Sequence, residues 1–486
     1  MFSRNRSNNQ LPEFGEDSEM RNDDKEKGKS APWKMQYEQD KNRVYWRYIS
    51  LLFIMWLVVI HYYENIVVKR AMMKCNWSKW EQWPKDAQSH KVALFADPQI
   101  MDAHSYPGRP AIVNYFTRVL LDHYHERNWK YVNYYLEPNT NFFLGDLFDG
   151  GRYWEDEYWF QEYSRFHKIF PKKESVKTIM SLPGNHDIGF GDTVIESSLN
   201  RWTAYFGEPS SYHDFGNHTF VLVDTISLSD KANLNISKVP REFMNKFAEG
   251  EHPLPKFLLT HVPLWRNAKQ QNCGSLRESK KTFPIQKGDQ YQTVIDSAAS
   301  QEILSLIQPS FLFSGDDHDY CRVTHTYTAN GKTKHAEEIT VKSCAMNMGV
   351  SKPAIQLLSL YNPDQLPNGD TFQTELCFMP DPYKPIKMYL VMILFSVMTF
   401  GYIHLSPRTF NQTVAPRLAK TFRMRRTAEI ELPLTSPSAR TKEDGTAIDP
   451  TKFKVNERSS ISGFIINAFT LLVMVLCIFY YYYFII

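Results

Sequence analysis

The sequence predicts an α/β domain carried by three membrane-spanning helices, on three observations. Five short apolar runs each end abruptly in an Asp, Asn or His, as buried strands do when they deliver polar groups to a crevice. Three longer apolar stretches are free of charged residues, and a basic segment joins the last two of them. The 486 residues leave room for two or three domains, and 43% hydrophobic with 22% charged residues excludes a wholly disordered chain, a collagen-like repeat and a polytopic transporter. A net charge of +3 is too small for a nucleic-acid binder, so no nucleic-acid partner is expected. Six cysteines without a C-x-x-C pair make neither a disulfide framework nor a thiolate metal centre, though isolated disulfides fit an oxidising compartment. A bridge from Cys321 to Cys344 is the pairing expected.

From the N-terminus, residues 1–46 are polar and charge-mixed and read as a disordered cytosolic tail. Residues 47–68 read as a transmembrane signal anchor, because no small-residue cleavage site follows before Lys69-Arg70. Residues 69–384 form the expected luminal domain, followed by a transmembrane helix at 386–405, a basic cytosolic loop at 406–460 and a transmembrane helix at 463–486. The stretch 388–405 spans about 27 Å as a helix, close to the roughly 30 Å hydrocarbon core. Residues 408–458 carry eleven Lys/Arg against six Asp/Glu, which places that loop in the cytosol and the large middle domain in the lumen. Sequons stand at Asn76, Asn217 and Asn235 in the luminal part and at Asn411 in the loop.

Within the middle domain the runs are VALFAD (92–97), FFLGD (142–146), IMSLPGNHD (179–187), FLLTH (257–261) and FLFSGDDHD (311–319), with FVLVD (220–224) as a sixth strand. Their carboxyl ends supply carboxylates, an Asn, a Gln and imidazoles, an oxygen-rich set that suits Mn²⁺ or Fe²⁺ better than thiolate-bound zinc. Such a gathering of anionic groups needs cations, and a divalent metal pair is the usual apparatus for hydrolysing phosphate esters.

At these residues the sequence resembles the calcineurin-like metallophosphoesterases, whose blocks run D-x-H, G-D, G-N-H-D/E, H and G-H-x-H. The counterparts are Asp97-Pro98-Gln99, Gly145-Asp146, Gly184-Asn185-His186-Asp187, His261 and Gly315-Asp316-Asp317-His318. The resemblance implies a layered αββα sandwich with two divalent ions. Asp97, Gln99 and His318 would hold one, Asn185, His261 and Asp316 the other, and Asp146 would bridge. Gln99 and Asp316 replace family histidines, exchanging nitrogen for oxygen and favouring Mn²⁺. His186, with Asp187 beside it in sequence, is the implied catalytic acid for the leaving group, the other reading being a structural histidine. Tyr106, Gly108, Arg109, Trp265, Arg266 and Asn347 are candidates to line the cleft.

The strings LFADPQIMD, NFFLGDLFDGGR, SLPGNHDIGFGDT and THVPLWR further resemble the membrane-anchored GPI-glycan phosphoesterases of fungi and animals. That branch implies a multi-pass enzyme of the endoplasmic reticulum or early Golgi, acting on GPI glycolipids or GPI-anchored proteins to remove ethanolamine phosphate from a mannose. Two other readings use the same residues: a luminal phosphoesterase for nucleotides or soluble phosphoesters, and a non-catalytic cargo-sorting or metal-homeostasis protein.

Overall fold

The computed structural model describes residues 43–367, 370–428 and 450–485. The expected tail, apart from its last residues, and much of the expected basic loop lie outside these. The chain divides into two compact units. The smaller comprises residues up to Ile54 together with Ile393–Leu476, and the larger comprises Met55–Met392 and Cys477–Ile486.

The larger unit holds two sheets. One has the order β13-β12-β1-β2-β3, built from β1 (His90–Phe95), β2 (Thr140–Phe143), β3 (Lys177–Ile179), β12 (Ala354–Leu360) and β13 (Phe372–Phe378). The other has the order β10-β11-β9-β6-β5-β4, from β4 (Ser211–Phe215), β5 (His218–Leu222), β6 (Lys256–Leu259), β9 (Phe311–Ser314), β10 (Cys321–Ala329) and β11 (Lys332–Thr340). A two-residue hairpin, β7 (Lys287–Gly288) with β8 (Tyr291–Gln292), lies apart from both.

Inner strands are buried on both faces, which is why they read as unbroken apolar runs: β2, β5, β9 and β12 are buried at every residue. β10, at an edge, alternates buried and exposed along its whole length. Val92, Leu94, Phe142 and Leu358 of one sheet share a core with Phe220, Phe257, Leu259 and Phe313 of the other, so the sheets pack face to face. On the outer faces, α1 (Ala111–Tyr135) and α2 (Asp156–Ile169) bring Trp129, Phe166 and Phe170 against Phe95 and Phe143. A third helix, α3 (Glu196–Phe206), seats Trp202 against Phe148. On the other side, α4 (Leu234–Glu249) and α5 (Ser297–Ile307) contribute Met244, Phe247, Ile303 and Leu304 to the core that holds Val221, Leu258 and Leu312. The layers are αββα, the class the sequence predicts.

Among the described residues, three helices are long and apolar enough to cross a membrane: Trp46–Lys74, Tyr383–Leu405 and Ile461–Phe484. The first continues beyond residue 68, through a π-helical turn at Tyr62–Ile66. In the smaller unit, residues of the expected loop form helices Pro407–Thr413 and Ala415–Ala428, with Phe410, Ala415 and Ala419 buried. Asn411 exchanges two hydrogen bonds with the backbone of Val455 (2.7 and 2.8 Å).

The expected Cys321–Cys344 bridge is not formed. Cys321 pairs with Cys273, Cys75 pairs with Cys377, and Cys344 is buried and free. The Cys344 amide donates to the Ala96 carbonyl, which ties it to the end of β1 rather than to β10.

Candidate active site

Four parallel strand ends, from β1, β2, β6 and β9, deliver Asp97, Asp146, His261 and Asp316 to one place. Short backbone bonds knit the ends together: the Gln99 amide donates to the Asp146 carbonyl and the Gly315 amide to the His261 carbonyl, both at 2.8 Å. Asp97, Gln99, Asp146, Asp316 and His318 all have positive φ, between 36° and 67°. That conformation is strained for residues with a Cβ, and its recurrence at five of the seven expected ligands gathers backbone strain at the strand ends. Gly145, at φ +92°, completes the second turn; a Cβ there would stand 2.5 Å from His261 Nδ1.

His261 organises the centre. Its Nδ1 donates to the Leu144 carbonyl at 2.7 Å, which leaves Nε2 as the lone-pair donor. That nitrogen lies 3.4 Å from Asn185 Oδ1, 3.5 Å from Asp146 Oδ1 and 3.6 Å from Asp316 Oδ1. Asp97, Asp146 and His261 present ligand atoms within 4.8 Å of one another. Asp97 Oδ1 accepts from the Asp316 amide (3.0 Å), whereas Asp97 Oδ2, Asp316 Oδ2 and Gln99 Oε1 are buried without a hydrogen-bond partner. Gln99 spends its Nε2 on Asp149 Oδ1 (2.9 Å), so its oxygen is the atom left to coordinate. Three orphaned buried oxygens in one ligand set fit divalent cations, which would replace the missing partners.

The electrostatics agree. Burial and then the Asp146 charge push the Asp97 and Asp316 carboxyls well above the usual carboxylate range. Burial acts on Asp146 in the same sense, but His261, His186 and the His186 amide outweigh it and hold this carboxyl below its ordinary value. Burial pushes His318 down to about 4, so its imidazole is neutral and able to act as a ligand at physiological pH. Divalent cations would let all three carboxyls ionise together.

Asn185, His186 and Asp187 lie on one helical turn, Asn185–Ile188. His186 is the partly exposed member: its Nδ1 donates to the Asp149 carbonyl at 2.6 Å and lies 3.4 Å from the Asp149 carboxylate. Asp187, expected as its catalytic companion, faces elsewhere. Its carboxylate accepts from the amides of Gly184 (2.8 Å), Phe148 (3.0 Å) and Leu147 (3.2 Å), which makes it the residue that locks the G-N-H-D turn onto the second strand end. Asp149, three residues after Asp146 in the FLGDLFD string, is the carboxylate that lies beside the His186 ring.

His186 opens on a cleft of about 540 Å³ whose walls include Asp102, Asp149, Arg152, Tyr153, Trp154 and Tyr158. None of the expected cleft residues lies in this wall. Arg266 is 2% exposed and pairs with the buried Glu338 at 2.8 Å, and Arg109 stacks on Tyr106. The hairpin β7–β8 also reaches the centre: Asn185 Nδ2 donates to the Gln290 carbonyl (3.1 Å), and the Tyr291 phenol is raised by burial and then by the charges of Asp316, Asp317, Asp146 and Asp97. Hairpin and phenol carry no motif, and sequence reasoning missed them. Behind Asp316, Asp317 pairs with the buried Arg277, Asp319 with Lys342 (3.0 Å), and the Cys273–Cys321 disulfide ties the segment that carries Arg277 to β10.

Residues 90–320 match the family model for calcineurin-like phosphoesterases. The chain is 61% identical to cell division control protein 1 of Saccharomyces cerevisiae over 447 residues, 90% of each chain. It is 24% identical to metallophosphoesterase 1 of Xenopus laevis, across 73% of this chain and 88% of the other. Among solved structures, a purple acid phosphatase from yellow lupin aligns with 60% of this chain and 54% of its own, at 13% identity and a TM-score of 0.34.

Proposed function

Because the chain belongs to the calcineurin-like phosphoesterase family, whose domain implies a dinuclear divalent metal site, we propose that it is a phosphodiesterase that removes ethanolamine phosphate from a mannose of the GPI-anchor glycan. The observation that carries this reading is the placing of His186. It stands between a buried ligand set with orphaned oxygens and a cleft lined by Tyr153, Trp154 and Tyr158, wide enough for a sugar. Asp97, Gln99 and His318 would hold one ion and Asn185, His261 and Asp316 the second, with Asp146 available to both. Bound there, divalent ions supply charge neutralisation on the phosphate and a water acidified toward neutral pH. The chain's own part is to hold the phosphoester in line and to give a proton to the departing sugar oxygen from His186, which stands beside the Asp149 carboxylate. The oxygen-rich donor set, with Gln99 and Asp316, supports Mn²⁺.

The substrate places the enzyme in the endoplasmic-reticulum or early-Golgi membrane, spanning it more than once with the catalytic unit in the lumen and GPI-anchored glycolipids or proteins as its partners. Two disulfides in that unit support an oxidising compartment. The metal-stripped full chain is expected to regain hydrolysis of a mannose-linked ethanolamine phosphate with Mn²⁺ more fully than with Zn²⁺. Full turnover with Zn²⁺ overturns the metal assignment. Preferential hydrolysis of a nucleotide overturns the substrate, and inactivity on every phosphoester with metal bound favours a non-catalytic role.

Orientation is tested at Asn235, an exposed residue at the start of α4. Asn411 is a poor reporter, because it is buried with both ends of its amide engaged. Endoglycosidase is expected to shift the wild-type band, and the shift is expected to vanish when Asn76, Asn217 and Asn235 are all changed to Gln. A shift that survives the triple change overturns the luminal assignment.

A further inference from the structure

A basic cavity lies in the larger unit where one long apolar helix ends, at Lys74, and the next begins, at Tyr383. Its volume is about 700 Å³, and its walls come from the end of the first helix, the segment through Lys79 and Trp80, and the edge strand β13 with the residues that follow it. The Cys75–Cys377 disulfide ties the helix end to β13, and Trp80 Nε1 donates to the Cys75 carbonyl at 3.2 Å, so these walls are fixed to one another.

Strand register places the cavity at the catalytic end of the sheet. β13 runs in the direction of β1, since β12 lies between them and pairs antiparallel with both. Leu94 is level with Gln356, and Gln356 with Leu376. Phe378, at the cavity, is therefore level with Ala96, the residue before Asp97, two strand spacings or about 10 Å across the sheet.

Charge selects the occupant. Arg70, Lys74, Lys79, Lys352 and Lys384 line the cavity against Glu375 and Asp381, a surplus of three positive charges. Asp381 is paired with Lys384 at 3.6 Å, and Glu278, which accepts from the Lys352 amide at 3.0 Å, is committed to Lys342 at 2.8 Å. Such a surplus attracts an anion. Toward the middle of the first helix the lining turns less polar: Tyr62 lies about 12 Å before Arg70 along the axis, with Val67 between. The volume also leaves room beside a phosphate for a polyol ring, to which Trp80 offers an aromatic surface and Glu375 a hydroxyl acceptor.

We propose that this cavity binds the inositol phospholipid at the membrane end of a GPI glycolipid, with Lys74 and Lys79 on its phosphodiester, the ring toward Trp80 and the acyl chains on the side of Tyr62 and Val67. This rests on the GPI-glycan reading above and deepens it: the lipid end is held at the edge of the sheet whose inner strands carry the metal ligands, within reach of a short glycan. Free phosphate shares the anion but has neither ring nor chains to place. A choline headgroup brings a further cation to the lysines and binds less well.

The full-length protein in phosphatidylcholine nanodiscs, doped with phosphatidylinositol carrying a photoreactive acyl chain, tests this. Saturable crosslinking to peptides containing Tyr62 and Val67 is expected, well above that of a photoreactive phosphatidylcholine. Lys74→Ala with Lys79→Ala is expected to weaken it about 30-fold, the factor for two charges at roughly 1 kcal/mol each near a lipid surface. The same pair should raise KM for an intact GPI glycolipid by a similar factor and leave hydrolysis of a lipid-free mannose-linked ethanolamine phosphate unchanged. Lys69→Ala with Lys387→Ala, exposed lysines of the same two helices outside the cavity, should have little effect on either readout. Undiminished crosslinking in the cavity pair, an equal loss in the control pair, equal labelling by phosphatidylcholine, or displacement by excess inorganic phosphate would each overturn the lipid site. Specific crosslinking without turnover of any GPI glycan would instead overturn the substrate reading and leave the lipid site supported.

Discussion

Gly184→Ala is expected to abolish phosphoester hydrolysis although it removes no functional group. A Cβ at this position would sit 2.0 Å from Asp146 Oδ1 and 2.2 Å from the Asp146 amide nitrogen. One of these atoms belongs to the carboxylate proposed as the shared ligand and the other to the backbone that fixes its strained φ of 51°, so neither can yield cheaply. The variant must therefore move either the second strand end or the G-N-H-D turn, and the Asp187 bonds to Leu147 and Phe148 couple the two. Overpacking costs typically about 1–3 kcal/mol in stability. The loss of activity should exceed the roughly 10- to 100-fold typical of disturbing an outer-sphere partner, because a shared ligand is displaced. Metal content read with the circular-dichroism melt decides the matter: a folded variant with depleted metal is expected, and a folded, metal-replete, active variant would refute the geometry.

His186→Ala is expected to slow cleavage of a mannose-linked phosphodiester by about 10²- to 10⁴-fold, the range of general acid catalysis. The leaving group separates this role from simple support of the site. A sugar alkoxide needs a proton as it departs, whereas a nitrophenolate does not. The same variant should therefore lose much less on a nitrophenyl phosphodiester and keep its metal. His186 Nδ1 is held by Asp149, not by the ligand oxygens, so its removal leaves the ligand set in place. Asp149→Asn should reproduce part of the defect on the sugar substrate and, because Asp149 Oδ1 also accepts from Gln99 Nε2, add a smaller loss common to both substrates. Equal losses on both substrates, or loss of metal from His186→Ala, would withdraw the acid role.

Much of the site was legible because its parts are local. A strand buried on both faces reads as an apolar run, and the polar residue that ends it reads as a delivered ligand, so Asp97, Asp146, His261 and Asp316 could be picked out one by one. The glycines beside them signalled turns. Asp187 was misplaced because adjacency in sequence says little about direction: on a helical turn of 3.6 residues, neighbouring side chains diverge by about 100°. His186 and Asp187 point to different partners for that reason. Asp149, Gln290 and Tyr291 carry no pattern of their own and acquire meaning only when the second strand end and the β7–β8 hairpin reach the same crevice.

The sequence by itself determined the strand ends, the order of the metal blocks, the three long apolar helices and the oxygen-rich donor set, since each depends on residue type and short-range spacing. Tertiary structure alone decided which side chains face one another across 40 to 300 residues of chain. It paired Cys321 with Cys273 and Cys75 with Cys377, at separations of 48 and 302 residues, and left Cys344 buried beneath Ala96. It withdrew Arg266 from the cleft to neutralise Glu338, because a buried carboxylate without a counter-charge costs more than the fold can offset. It also turned Glu64 inward toward Arg127, through a single π-helical turn that no local pattern announces. Pairings of this kind are fixed by how two sheets and their covering helices close-pack, and that information is distributed over the whole chain.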